Sequence, residues 1–194
     1  MTTKEEIIAN SPYKPELVKI IDYTRETADT FTIKLDWKLK YEPGQFVFCS
    51  IPGIGEAPIS ICSSSDEYVE LDIREVGNMT KHLAQLKKGS ELLVRGPYGR
   101  PYPMEQFRGN NIIIIGGGSG VAPLKGSVEY IDTNRDDYKE ISLFFGFRTP
   151  KDTLFKKELK DWKNKFKLYM SFDKLDGKPI LGGKEGFVTQ RVEE

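Results

Sequence analysis

What this chain has little of narrows its chemistry first. One histidine, His82, and two cysteines, Cys49 and Cys62, stand in 194 residues. A zinc site needs more ligands than that, and a cluster held by four cysteines cannot form within this chain, so no metal site is expected here. So few cysteines also suit a reducing cytoplasm. Charge of one sign is not in excess: 29 lysines and arginines balance 29 acidic residues. No global field therefore favours nucleic acid or an anionic membrane. Long apolar runs are missing as well. None approaches the roughly 18 residues of a spanning helix, and residues 1–10 lack the apolar core of a signal peptide. A cytoplasmic protein with no nucleic-acid partner and no transmembrane segment is expected.

What the chain does have is concentrated in residues 112–123, which read Ile-Ile-Ile-Ile-Gly-Gly-Gly-Ser-Gly-Val-Ala-Pro. Successive β-branched residues have the length and apolarity of a strand buried on both faces, followed by a tight turn and a helix start. Glycines let backbone N–H groups approach a ligand, and a helix N-terminus presents free N–H groups with partial positive charge; together they favour a phosphate. A plain turn without a ligand competes with this reading, but it has no use for three adjacent glycines, which cost backbone entropy. Two familiar phosphate loops do not match. The Gly-Lys-Ser/Thr of a P-loop is absent, and the G-x-G-x-x-G fingerprint is met at Gly116 and Gly118 but has Val121 third. Pro123 suits the first turn of a helix.

Before this stretch the pattern is one of strands. Residues 4–10 have the makings of a short helical arm, broken by Pro12 and Pro15. Residues 30–37 and 68–73 alternate strictly between apolar and polar. Further strands are expected over 45–51, 58–63 and 91–95, separated by turns such as Glu42-Pro43-Gly44 and Lys88-Gly89-Ser90. Short strands at this density predict a small antiparallel barrel. One helix interrupts it over 77–86, with Met79, Leu83 and Leu86 on one face and Asn78 or Thr80 as its cap. The glycine before that helix makes it a second candidate anion site.

From Asn111 onward, strands over 112–115, 141–147 and 166–172 alternate with helices over 122–133 and 153–162. That order predicts a three-stranded parallel sheet with right-handed crossovers. Residues 186–194 read as a helix start capped by Thr189, which leaves a sheet edge unpaired and a face uncovered. Either the sequence is a fragment or a partner completes it. The expected organisation is an arm over 1–12, a barrel domain over 13–99, a linker over 100–110 and an incomplete α/β domain over 111–194.

Five motifs in this order resemble the ferredoxin-NADP reductase family across residues 13–194. Gly116-Gly117-Gly118-Ser119-Gly120-Val121-Ala122-Pro123 resembles its pyridine-nucleotide loop, Gly-Gly-Gly-Thr-Gly-Ile-Ala-Pro. Phe145-Gly146-Phe147-Arg148, with Asp152 and Leu154, is similar to its second nucleotide strand. Ala57-Pro58-Ile59-Ser60 stands where the family has Arg-Pro-Tyr-Ser at the flavin, and Val76-Gly77-Asn78-Met79-Thr80 where it holds the flavin pyrophosphate. Gly96-Pro97-Tyr98-Gly99 resembles its Gly-Pro-Phe-Gly at the domain junction. The run Glu56-Ala57-Pro58-Ile59-Ser60-Ile61-Cys62, with Ile73-Arg74-Glu75-Val76-Gly77, is most similar to one branch. That branch contains the gamma subunits of NiFe hydrogenase/sulfhydrogenase, the corresponding subunit of anaerobic sulfite reductase and the electron-transfer subunit of dihydroorotate dehydrogenase.

The resemblance implies a two-domain protein: an N-terminal antiparallel β-barrel binding FAD rather than FMN, then a parallel-sheet α/β domain binding NADH or NADPH. It implies a diaphorase-type NAD(P)H oxidoreductase that takes hydride at the flavin and passes electrons to an iron–sulfur, hydrogenase or reductase partner subunit. Ser60 would hydrogen-bond near flavin N5 and is the one catalytic candidate, with Ala57, Pro58, Ile59 and Ile61 beside it along the ring. Arg74, Val76, Gly77, Asn78, Met79 and Thr80 would hold the flavin pyrophosphate. Gly117, Gly118, Ser119, Gly120 and Val121 would hold that of the nicotinamide nucleotide.

Departures from the family accompany these matches. Ala57 removes an arginine, so Arg74 is expected to supply its charge, and Ile59 replaces a stacking aromatic. The family's Cys-Gly-Pro segment and this branch's four-cysteine 2Fe-2S tail are absent, so truncation is expected, with a 2Fe-2S site in a missing C-terminal segment. Asp173 would accept from a ribose hydroxyl and repel a 2′-phosphate, which favours NADH; Arg148 or Lys174 keeps NADPH open. Plainer roles stand beside these. Cys49 and Cys62 read as small core residues, His82 as capping or solvating the helix after Gly77, Arg74 as a partner of Glu75 or Asp72, and Lys156-Lys157-Glu158 with Lys160-Asp161 as a solvated helix face. The alternative function is a non-catalytic scaffold or regulatory subunit that keeps the fold without the nicotinamide reaction.

Overall fold

The computed structural model describes residue 11 and residues 13–192. The arm expected over 4–10, and Pro12, lie outside the described residues. Alternation builds the first half. Strands β1 (Glu16–Arg25), β2 (Thr30–Leu35), β3 (Phe46–Ile51), β4 (Gly55–Ser60), β5 (Val69–Arg74) and β6 (Glu91–Tyr98) form an antiparallel sheet in the order β4-β3-β6-β1-β2-β5. Phe31, Ile33 and Leu35 of β2 are wholly buried and stand opposite Ile73, Leu71 and Val69 of β5. A bridge between Ile61 and Leu71 closes the sheet into the expected barrel. β4 begins at Gly55 rather than 58 because a tight hairpin pairs Ile51 with Gly55, a contact that alternation does not report.

The helix that interrupts the barrel, α1 (Asn78–Leu83), is capped by neither Asn78 nor Thr80 at the cap position, which Gly77 occupies. Thr80 works from inside the first turn: its Oγ1 accepts from the Gly77 N–H at 3.0 Å, a donor that a helix start leaves free, and from the Val76 N–H at 3.1 Å, which also donates to the Arg74 carbonyl. Leu83 is buried and Met79 packs beside it against the barrel core.

In the second half, β7 (Ile112–Gly117), β8 (Ile141–Phe147), β9 (Lys167–Phe172) and β10 (Lys184–Glu185) form a parallel sheet in the order β10-β9-β8-β7. The sheet thus has four strands, not three. At two residues, β10 is too short to leave a pattern in the sequence. Helices α2 (Ala122–Thr133) and α3 (Lys156–Lys165) share a core with Ile114, Leu143, Phe145 and Met170 of the sheet. α3 starts at Lys156 rather than 153 because Leu154 and Phe155 are drawn into that core first, Phe155 in the left-handed conformation with φ 52°.

The opposite face carries Ile113, Ile115 and Tyr169, all exposed. α4 (Val188–Val192) reaches only its carboxyl end, with Val188 against Gly146. Thr189 lies inside α4; the Phe187 N–H is met instead by Gln190 Oε1 at 3.0 Å. Among the described residues, no helix is long and apolar enough to cross a membrane.

The two halves meet along a polar seam. Lys125 of α2 is 2% exposed, with Nζ 2.8 Å from Glu70 Oε2 of β5 and bonded to Glu129 one turn on. Glu70 also takes the Lys34 ammonium at 2.8 Å, and Glu129 accepts from the Ser64 N–H at 2.8 Å. A second clasp joins Glu26 of the loop after β1 to the start of α3. Its carboxylate accepts from the Phe155 N–H at 2.9 Å and its carbonyl from Lys156 Nζ at 3.1 Å, so Lys156 faces the barrel rather than solvent.

Helix α2 approaches the barrel so closely that a Cβ at Gly126 would lie 2.6 Å from the Ser63 carbonyl oxygen. Backbone cannot swing aside as a side chain can, so Gly126→Ala is expected to destabilise the protein by about 1–3 kcal/mol, read from urea midpoints. Gly116→Ala, whose Cβ meets the flexible end of Leu124 at 2.7 Å, is expected to cost less.

Candidate functional site

The carboxyl ends of β7 and β8 face the barrel across a cleft. It is lined by Thr27, Asp29, Thr30 and Arg74 from the barrel and by Gly118, Ser119, Arg148, Asp152 and Leu154 from the α/β domain. A neighbouring cavity of about 360 Å³ is lined by Gly117, Gly118, Gly146, Phe147, Arg148, Asp173 and the start of α4. Its size falls in the range of small-molecule sites. Both open at the strand ends where parallel sheets bind ligands. Arg148 and Gly118 belong to both.

The glycines of the central stretch divide by environment. A Cβ at Gly116 would meet the end of the Leu124 side chain at 2.7 Å and that of Val121 at 3.2 Å, so strand-to-helix packing favours glycine there. At Gly118 and Gly120 an added Cβ meets no protein atom within 4 Å, and at Gly117 the nearest is 3.9 Å away. Gly118 has φ 55°, a conformation that glycine adopts without strain. These exposed positions need no glycine for the chain's own packing and leave room for a ligand to reach the backbone. Gly77, before α1, is equally open. This pattern fits phosphate-bearing ligands at both loops.

Arg74 meets neither of its expected partners, Glu75 and Asp72, but Asp29, with Nε 2.7 Å from Oδ2. Glu75 pairs with Arg25. The Arg74 bond holds the Asp29 carboxyl below its usual pKa, so the cleft carries a fixed ion pair with an exposed guanidinium edge. Asp152 is turned inward: its Oδ2 accepts from the Thr149 N–H and hydroxyl at 3.0 and 2.8 Å. Asp173 is exposed directly beyond β9.

Of the residues expected at a flavin, Ala57, Pro58, Ile59 and Ser60 lie on β4, with Ser60 opposite Phe46. None of them lines either cavity. The Ile61 and Val121 side chains are buried in the two cores, which leaves only their backbones for a ligand. Val76, Gly77 and Asn78 are exposed, whereas Met79 packs inward. His82 Nδ1 lies 2.8 Å from the Asn78 carbonyl, a contact inside its own helix rather than a cap. Cys49 and Cys62 are buried free thiols; burial pushes Cys49 up to about 12 and Cys62 well above the ordinary thiol value, so neither is a ready nucleophile.

Sequence reasoning missed Asp29 and the seam of Lys125, Glu70 and Glu129. A signal for Lys125 was present: a lone cation among Ala122, Val128 and Ile131 on the apolar stripe of α2, just after the buried Val121. No local pattern marked Asp29, whose partner is 45 residues away.

Two family models match the chain in succession: the oxidoreductase FAD-binding domain over residues 16–102 and the oxidoreductase NAD-binding domain over residues 114–194. The chain is 38% identical over 158 residues to the sulfhydrogenase 2 subunit gamma of Pyrococcus furiosus, covering 77% of this chain and 54% of that protein. It is 36% identical over 118 residues to a probable dihydroorotate dehydrogenase B (NAD(+)) electron transfer subunit of Methanopyrus kandleri, covering 60% of this chain and 44% of that protein. The chain thus spans about half the length of these relatives. Among solved structures it is similar in fold to a ferredoxin NADP+ reductase from Neisseria gonorrhoeae with bound FAD and NADP, with a TM-score of 0.78 and 20% identity, covering 93% of this chain and 76% of that one.

Two residues before Arg74, Asp72 accepts from the Thr32 hydroxyl at 3.1 Å, and burial raises its pKa from 3.8 to about 7. Across that interval the folded protein keeps a proton that the unfolded chain has released. Stability is therefore lost as pH rises through the interval, and the loss is complete above pH 7. Asp72→Asn keeps an acceptor for Thr32 and is expected to gain on the order of 1–3 kcal/mol over the parent at pH 8 and little at pH 4. Urea midpoints that differ equally at both pH values would contradict this.

Proposed function

The chain belongs to the oxidoreductases that join an FAD-binding domain to an NAD-binding domain, and on that premise we propose that it is an electron-transfer subunit moving electrons from NADH to an iron–sulfur partner through FAD. The observation that carries this reading is the shared cleft: Arg74, on the strand leading to the Gly77 turn, lines the same space as Gly118 and Ser119 of the nucleotide loop. We assign the flavin domain to residues 13–99, the linker to 100–110 and the nucleotide domain to the residues from 111.

FAD, when bound, supplies acceptance of hydride from the nicotinamide and release of single electrons. The protein's part is to hold and orient. Gly77, Asn78 and Thr80, with Val76 and Met79 framing the turn, form the flavin pyrophosphate cradle. Arg74 adds charge to it, sharing a guanidinium whose five donors exceed what Asp29 uses. Ser60 donates toward the reactive edge of the flavin, with Ala57, Pro58, Ile59 and Ile61 supporting the ring. The open backbone at Gly117, Gly118, Ser119, Gly120 and Val121 takes the nicotinamide pyrophosphate. Asp173 accepts from the adenosine ribose and disfavours a 2′-phosphate, so NADH is the proposed donor, with Arg148 beside it in the same cavity. No general acid or base is required. The partner is proposed from the relatives, one named a subunit gamma and the other an electron transfer subunit.

The full chain reconstituted with FAD is expected to show flavin absorption bands that bleach on anaerobic addition of NADH. A protein that stays colourless refutes the flavoprotein reading, and one that binds FAD but is not bleached supports the scaffold instead. Gly120→Asp places a negative charge where the nucleotide phosphates would lie, in open space. It is expected to leave stability within about 0.5 kcal/mol and FAD bound, while NADH affinity falls at least about tenfold, equivalent to roughly 1.4 kcal/mol. Unchanged NADH affinity would show that the nucleotide loop is misassigned.

A further inference from the structure

Helix α2 touches both barrel segments that lead to the proposed flavin residues. Lys125 lies in its first turn, directly after the nucleotide loop, and binds Glu70, four residues before Arg74 on β5. Glu129, one turn later, accepts from the Ser64 N–H, on the segment that leaves β4 after Ser60. Ser63 ties the two contacts together: its Oγ accepts from the Glu70 N–H at 2.9 Å and bonds the Tyr41 hydroxyl at 2.7 Å, while Gly126 closes on its carbonyl. Residues 125, 126 and 129 thus form one patch, attached to both sides of the flavin domain's approach.

Resting on the reading above, we propose that Lys125 is a positioning residue for electron transfer: through Glu70 and Glu129 it holds the nucleotide loop at one distance and one angle from the flavin-bearing strands. A buried ion pair rarely adds stability over apolar packing of the same volume, and its best-attested use is to specify a single arrangement. Directional N–H···O bonds select one register of α2 on the barrel, where an apolar seam would let the helix slide. Because α2 begins at the loop, a tilt at the seam moves the loop with it. Reacting atoms need an approach of about 3–3.5 Å, and a misplacement of about 1 Å can cost a hundredfold in rate. Burial works against the Lys125 charge, but its neighbours outweigh that and raise its pKa, so Lys125 keeps its ammonium proton, while burial raises the pKa of Glu129.

The test uses the full chain and two variants, Lys125→Met and the neutral triple variant Lys125→Met/Glu70→Gln/Glu129→Gln. FAD and NADH affinities are titrated separately, flavin bleaching by NADH is followed by stopped flow, and amide hydrogen exchange at Ser64 is measured without FAD. In Lys125→Met, Ser64 is expected to exchange at least about tenfold faster, both affinities to stay within about threefold, and the bleaching rate constant to fall about 10- to 100-fold. The triple variant leaves no stranded carboxylate and takes the partner only from Lys34, whose side chain is 29% exposed, so its melting temperature is expected to recover in part while its rate stays low.

A bleaching rate within about twofold of the parent in Lys125→Met overturns the proposal, as does a rate that recovers along with the melting temperature in the triple variant. A parent protein that NADH does not bleach refutes the proposed function and this inference with it. A bleached parent with an equally fast variant refutes this inference alone.

Discussion

The structure turns on an ammonium group kept out of water between two domains. Lys125 has exchanged hydration for the carboxylates of Glu70 and Glu129, and Glu70 is held in turn by Lys34. Removing an ion from water costs several kcal/mol, so such a group persists only where its partners are correctly placed. The other contacts of the seam follow from that constraint. Helix α2 cannot shift along the barrel without stranding the charge, and it is held close enough that only glycine fits at 126. The Glu26 clasp on the start of α3 acts at a second point, so the α/β domain is held to the barrel at two places rather than one.

A defined cleft depends on that attachment. Neither half makes the site alone: the barrel supplies Asp29, Thr30 and Arg74, and the parallel sheet supplies Gly118, Ser119 and Arg148. The glycine-rich turn lines this space through Gly118, while Gly116 packs β7 against α2. Open space and core packing are thus divided between neighbouring residues of one tripeptide. The polar character of the seam also has a consequence for pH. Asp72 and Glu26 share the Thr32 hydroxyl near it, and burial raises both of their pKa values, so the barrel wall beneath the seam gains charge as pH rises.

Much of this was legible in the residues. Strict alternation in β2 and β5 named their buried faces because a strand's side-chain period is two, whatever surrounds it. The isoleucine run and its glycines announced a strand entering a tight turn, though one face of that strand, with Ile113 and Ile115, is exposed rather than buried, and Cys49 and Cys62 took the plain core roles expected of them. What escaped reading was non-local. The ends of β4 were set by its hairpin with β3, and the late start of α3 by the burial of Leu154 and Phe155. The pairing of Arg74 with Asp29 depends on two strands meeting, and the two-residue β10 exists only because β9 is there to pair with it.

By itself the sequence determined the two-part architecture, the position of both candidate phosphate turns and the resemblance that links them, because each of these is written in local periodicity, glycine placement and short motifs. Only the tertiary structure decided how the two turns stand to one another. That relation rests on Lys125 meeting a carboxylate 55 residues away, and the balance between desolvation and ion pairing that keeps a buried lysine in place exists only once both domains have folded around it.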